Sequence, residues 1–400
     1  MQQTTILEGL SVDVYLKGAS REKSNWRLRI WLLLALAYAS TGLAWWMQEH
    51  PTALFGAEAT PTVVVTEEAV REVAVEIMER GDLYFDQGNV TAALESYEEA
   101  VAADPNMATA YARWGQLLNL RYESDEALIR TERAISLAPE DPEVLAAHAM
   151  SLTWTKEFAE AIQYAERAIA ADPEYGAGYA FLAEAYIDSQ QYDAALETAH
   201  QAVEIDPDSV WAWLNLGYVL ENFGRYEEAV AAYEEAIAVK PLSYIYNSIG
   251  RIQVYNQEYD AAIKSFKEAT IVDPRNPEAY AMLGRLYIGL DNPTAAEDYI
   301  EQGIEQDPTF GLNHALLGQI YYSQLNFEAA IESLEKAISF GYSNEGVFYQ
   351  LGLAYAYLEQ CDQAVPWLER ALEQNPDSGP AQSGMELCNP GSEPTSMLGR

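Results

Sequence analysis

The chain has 400 residues, with 23 Lys+Arg against 62 Asp+Glu, a formal net charge of −39. Such an excess of carboxylates excludes a nucleic-acid partner, because phosphate binding needs a basic footprint. A hydrophobic share of 49% excludes a disordered acidic chain, and two cysteines with four histidines leave little material for a metal cluster.

Residues 1–50 differ from the rest. They hold Lys17, Arg21, Lys23, Arg27 and Arg29 against four carboxylates, so residues 51–400 carry 18 basic and 58 acidic side chains. After the basic segment 1–29, Ile30 to Met47 is uncharged and bounded by Trp31, Trp45 and Trp46. As a helix these residues would span about 27 Å, near the thickness of a bilayer core. They are predicted to be one transmembrane helix. All nearby basic residues precede it, so the positive-inside bias predicts a single-pass membrane protein with residues 1–29 cytoplasmic and the array extracytoplasmic. The rival reading is a cleaved signal peptide. Residues 48–66, with Pro51 and Pro61, read as a spacer, and Thr66 before Glu67 and Glu68 as a helix start.

A period of about 34 residues fills 67–378. Proline recurs at 105, 139, 173, 207, 241, 274 and 308, then at 376, with Tyr342 where one is missing. Alanine keeps the same step from Ala93 to Ala364 without exception. A second small series runs from Ala100 to Ala371, and a third, of Gly or Ala, from Gly81 to Gly352. Each unit reads as two amphipathic helices joined by a short turn, the small residues marking close approaches. Asp-Pro pairs end the second helices, because Pro blocks their continuation.

This pattern resembles the tetratricopeptide repeat family, most clearly from Trp211 to Pro241. Nine units are expected, starting near Ala74, Ala108, Pro142, Gly176, Val210, Ser243, Pro277, Gly311 and Glu345. Units three and four depart by placing Ala for Gly. Unit eight lacks its Pro, and unit five is one residue short. The resemblance implies an all-α, right-handed superhelical solenoid with a concave groove lined by first helices. Residues 379–400 are expected to be a short capping helix and a disordered tail.

No Gly-rich phosphate loop, HExxH, GxSxG or CxxC occurs, so no enzyme, cofactor or metal is expected. The leading expectation is a membrane-anchored scaffold that presents its groove to a protein or peptide, with the acidic field favouring a basic one. The alternative is a module binding glycan, lipid or cell-wall polymer. It would stack ligands on aromatic side chains near the groove, among them Trp211, Tyr218, Tyr244, Tyr255 and Tyr322, for which ordinary packing is the plainer reading.

Arg251 and Arg285 occupy the ninth place of units six and seven, which faces the groove in proteins this chain resembles. With Asn247, Tyr244 and Tyr322 they form a candidate anion site; the competing reading is internal pairing with Glu221 or Glu278. Cys361, at the turn inside unit nine, and Cys388, near the end of the capping helix, are a candidate disulfide in this fold.

Overall fold

A computed structural model describes residues 67–389, which are all-α. The helices are α1 (Glu67–Asp86), α2 (Val90–Ala103), α3 (Ala108–Asn119), α4 (Ser124–Leu137), α5 (Pro142–Trp154), α6 (Phe158–Ala171), α7 (Gly176–Asp188), α8 (Tyr192–Ile205), α9 (Val210–Asn222) and α10 (Tyr226–Val239). They continue as α11 (Ser243–Tyr255), α12 (Tyr259–Val272), α13 (Pro277–Gly289), α14 (Pro293–Gln306), α15 (Gly311–Ser323), α16 (Phe327–Ser339), α17 (Glu345–Tyr357), α18 (Cys361–Gln374) and α19 (Gly379–Cys388). Odd and even neighbours from α1 to α18 pair as units 1 to 9, and α19 packs on the last pair.

Local chemistry sets the ends of these helices. The carboxylate of Asp141 accepts from Glu143 N and Val144 N ahead of Pro142, and Asn276 caps Pro277 in the same way. At the C-termini Asp104, Asp172, Asp206, Asp273 and Asp307 leave the helical region just before a proline.

The small series mark where helices touch. Every alanine of the series Ala93 to Ala364 is fully buried. The third series has a partner sixteen residues on. A Cβ at Gly217 would lie 2.5 Å from the Tyr233 ring, and one at Gly250 2.4 Å from Phe266. Where the series holds Ala149 and Ala183, the residues sixteen on are Ala165 and Ala199, also fully buried. Glycine therefore faces a large side chain and alanine faces alanine, so the two units with Ala keep the packing volume instead of departing from it.

A second regularity lies in the turns. Gly88, Tyr122, Lys156, Gln190, Gly224, Gln257, Asp291, Leu325 and Glu359 all have φ between +55° and +78°. One left-handed residue in each unit reverses the chain from first to second helix.

The membrane expectation is corrected. Among the described residues no helix is long and apolar enough to cross a membrane. A thirteen-residue helix such as α9 reaches only about 20 Å, well short of a bilayer core. The segment 30–47, on which the transmembrane helix was placed, lies outside the described residues, as do 1–29, 48–66 and the tail beyond residue 389. The anchor, the single-pass topology and the extracytoplasmic array therefore drop out of the account.

Candidate functional site

The first helices of units 2 to 5 pack directly on one another, whereas those of units 5 and 6 hardly meet. The looser junction falls where the repeat is one residue short, at Lys240-Pro241-Leu242. By then the array has curved through a full circle, and units 5 and 6 return against units 1 and 2.

A seam closes that circle. Thr91 donates from its backbone N–H (3.2 Å) and its hydroxyl (3.0 Å) to Asp273 Oδ2, across 182 residues of sequence. Arg121 reaches the same oxygen at 3.5 Å. Arg275 pairs with Glu95 at 2.7 Å, and Lys240 with Asp86 at 2.8 Å. Gly88, in the turn of unit 1, comes so close to Pro241 that an added Cβ would fall 1.7 Å from the Pro241 carbonyl oxygen. Burial raises the Asp273 pKa, while Arg121 and the Thr91 hydrogen bonds oppose the shift.

The inner face of the closed turn is filled with aromatic and ionic groups. Phe85 lies 5.9 Å from Trp211, which lies 5.4 Å from Phe181. Tyr122, itself half exposed, forms with Trp154 and Tyr244 a triangle of rings with centroids 5.6 to 6.2 Å apart. The Trp154 indole N–H donates to Glu184 Oε1 at 2.6 Å. Burial pushes Glu184 up to about 8, Asp188 adds to the shift, and the Trp154 bond opposes it. Tyr218 donates to Asp188 (2.7 Å) and Tyr233 to Glu221 (2.8 Å). Beside Phe85 and Trp211 is a cavity of about 300 Å³, lined also by Asp82, Arg113, Glu143 and Lys240. Arg113 donates to both oxygens of Asp82 at 2.7 Å and to Glu143 at 2.7 and 3.3 Å. Burial works against its charge, but Glu143 and Asp82 outweigh that and raise its pKa.

The sequence-predicted site residues fall into three places. Arg251 stands inside the circle, 38% exposed, with its guanidinium on Ser248 Oγ (3.1 Å) and 3.9 Å from Glu221. Its charge also holds down the pKa of buried Glu278, which burial itself raises. Tyr244, Tyr218 and Trp211 share this interior as packed members of the network. Asn247 is fully buried, and neither atom of its amide meets a protein partner. Arg285 is exposed on α13, where its charge, like that of Arg251, lowers the pKa of Glu278; Tyr322 is elsewhere, packed against Phe327, 5.9 Å away, in the last units. Of the anion site drawn from the repeat register only Tyr322 is set apart, and the arginines are compensated by carboxylates, Arg251 by Glu221 and both by Glu278. The premise of an open aromatic platform fails for Trp211, which is buried between Phe85 and Phe181, while Tyr255 is 68% exposed at the turn edge.

Cys361 and Cys388 are joined in a disulfide, with Cα atoms 5.3 Å apart, tying α19 to the start of α18. Among the described residues no group of three or more His, Cys, Asp or Glu side chains is placed to hold a metal. His148 accepts or donates at 3.0 Å with Thr131 Oγ1, and burial lowers its pKa to about 4, a packing role.

The seam was missed in sequence because its groups belong to repeats four or five units apart. Its one local signal is Gly88, placed in a turn where most other units use a larger residue.

Models described as tetratricopeptide repeat match residues 155–200, 182–243, 254–320, 313–340 and 346–378. A further one, described as TPR repeat, matches 81–119. Together these segments cover more than half of the chain. The chain belongs to the tetratricopeptide-repeat family. No curated protein matches it. Among solved structures, the Cut9–Hcn1 hetero-tetramer of the APC/C aligns with a TM-score of 0.53 at 15% identity, over 79% of this chain and 76% of that one. Pseudomonas aeruginosa PilF aligns at 0.47 and 19% identity, over 53% of this chain and 97% of its own. YrrB, described as a TPR protein with an unusual peptide-binding site, aligns at 0.37 and 21%, over 47% and 97%. At these identities the likeness is one of fold.

Proposed function

We propose that this tetratricopeptide-repeat chain is a protein–protein interaction scaffold that acts by binding and not by catalysis. The observation that carries the reading is the contrast within the array. The inner face of units 1 to 6 is occupied by the chain's own paired groups, while units 7 to 9 run on as an open arm with large side chains at its surface. A solenoid of this kind offers extended surfaces to other chains. The Cut9 structure, similar in fold over most of the chain, is itself a complex with Hcn1. The acidic surface favours basic partners and attracts them most at low salt.

The test is to recover the tagged full chain from its native source, identify a stoichiometric companion, and titrate the two purified proteins by calorimetry. Saturable one-to-one binding is the expected result. Absence of any companion that binds when purified would overturn the reading.

A further inference from the structure

The closed turn brings two different edges of the solenoid together. From units 1 and 2 comes the edge that carries the turns inside each unit, with Phe85, Asp86 and Gly88. From units 5 to 7 comes the opposite edge, with Lys240, Pro241 and Arg275. Two basic groups and one acid cover the turn edge: Lys240 and Arg275 meet its carboxylates, while Asp273 takes Thr91 and Arg121. Lys240 Nζ sits 3.7 Å above the Phe85 ring and 2.8 Å from Asp86, and Arg275 rests on Glu95. The molecule thus contains its own example of what this edge holds: a cation between an aromatic face and a carboxylate.

From unit 4 onward nothing in the described chain covers the same edge, and its composition is similar. Tyr192 meets Phe223 with centroids 6.0 Å apart, Tyr226 meets Tyr255 at 4.8 Å, and Phe327 meets Tyr357 at 4.8 Å. The first rings, Tyr192, Tyr226 and Phe327, hold the same place in units 4, 5 and 8, and most of the six rings are at the surface; Leu325, in the turn of unit 8, is 72% exposed. Carboxylates adjoin the rings at Asp193, Glu227 and Glu328. Across the six turn segments 188–194, 221–228, 255–260, 288–294, 322–328 and 357–363 there are eleven carboxylates, of which Asp188 and Glu221 turn inward onto Tyr218 and Tyr233, and one basic residue, Arg225, which is already paired with Glu228. A periodic apolar stripe exposed at this length marks a contact surface. Its charge disfavours a second copy of a chain of net −39 and an anionic lipid surface alike.

We infer that the turn edge of units 4 to 9 docks a basic, amphipathic segment of a partner protein, whose Lys and Arg side chains sit between ring faces and carboxylates as Lys240 does on Phe85 and Asp86. The inference rests on the scaffold reading and moves its contact surface from the groove to the edge.

The test uses the full chain and a fluorescent amphipathic helical peptide of Leu and Lys, with its Leu and Glu counterpart as control. Anisotropy should show saturable binding of the first alone, weakening as salt rises. A benzophenone on the peptide should crosslink to the six turn segments. Replacing three of the most exposed side chains together, Tyr192→Ser, Tyr255→Ser and Leu325→Ser, should weaken binding about ten-fold or more with an unchanged melting temperature, and Arg285→Ala should leave it unchanged. Crosslinks on the inner face, or an undiminished affinity in the triple variant, would overturn the edge while leaving the scaffold reading intact. Absence of saturable binding would also overturn it, and the scaffold reading would then stand or fall on the native companion. A photoreactive residue at position 255 that, without peptide, crosslinks to a second copy or to residues 1–66 would overturn it in favour of that occupant.

Discussion

Asp273 and Asp307 stand at the same place in consecutive repeats, each before a proline, and do different work. Asp307 turns its carboxylate onto the Thr309 N–H (2.8 Å) and hydroxyl (2.7 Å), so its hydrogen bonds are local although its charge reaches Glu123 of unit 2. Asp273 accepts instead from Thr91, 182 residues away, in the seam of the closed turn. The cores differ in parallel. The largest apolar cluster runs from Val90 to Ile252, with three small ones beside it in units 2 to 4, whereas the later units hold no cluster of that size. A repeat motif therefore specifies the helix pair and its ending, while curvature decides whether a given side chain serves its own turn or another unit. The closed half is held by chain meeting chain, and the arm by nearest neighbours and, at its end, by a covalent bond.

The largest expected effect is at that bond. The disulfide closes a loop with a sequence separation of 27, for which loop-closure entropy corresponds to about 3.5 kcal/mol. Cys361→Ser should lower the stability of the arm by that order and speed amide exchange in α17 to α19. Exchange in units 1 to 5 should be unchanged, since repeat arrays couple through neighbours. Equal acceleration in both halves would show that the molecule unfolds as one block.

The next test isolates the seam. Gly88 and Gly224 have the same left-handed backbone, φ +78° and +70°, and hold the same place in units 1 and 5. Alanine at either costs about 1 kcal/mol of backbone strain. At Gly224 nothing lies within 4 Å, whereas at Gly88 the Cβ meets Pro241 and Val272. Gly88→Ala should therefore cost about 2 kcal/mol more than Gly224→Ala and enlarge the radius of gyration in small-angle scattering. Equal costs would mean that units 1 and 5 do not meet in solution. In the same comparison, Asp273→Ala leaves Thr91 and Arg121 without their shared acceptor and should cost about 2 kcal/mol, against about 1 kcal/mol for half-buried Asp307→Ala, by urea denaturation.

The helix pairs were legible because their signals are local. The first helices of units 2 to 9 begin at Ala108, Pro142, Gly176, Val210, Ser243, Pro277, Gly311 and Glu345, residues marked by the 34-residue step. The left-handed turn positions were not legible. Only Gly88 and Gly224 carry the residue that favours such a backbone, and Tyr122, Lys156, Gln190, Gln257, Asp291, Leu325 and Glu359 adopt it because the packed helices on either side leave no other path. The inner-face residues were placed on the correct helices, but whether that face is open depends on a small rotation summed over five units. No local pattern records that sum, so Arg251 and Arg285, alike in register, end in different surroundings.

The smallest expected effect is electrostatic and distinguishes the two halves by pH. Burial, with Asp188 beside it, pushes the Glu184 carboxyl from its ordinary 4.5 up to about 8. Between those values the folded chain keeps a proton that the unfolded chain releases, so stability falls as pH rises through this window and is lowest above about 8. The ninth place of unit 8 in the open arm is Gln319, which does not titrate. Glu184→Gln makes unit 4 like unit 8 there and keeps a carbonyl oxygen for the Trp154 indole. The variant should match the wild type near pH 4.5 and exceed it by about 1.5 kcal/mol above pH 8, a discounted share of the shift. Urea midpoints measured across that range check the sign. A constant difference between variant and wild type would show that Glu184 ionises normally, and hence that the turn formed by units 1 to 6 stands open to solvent like the arm.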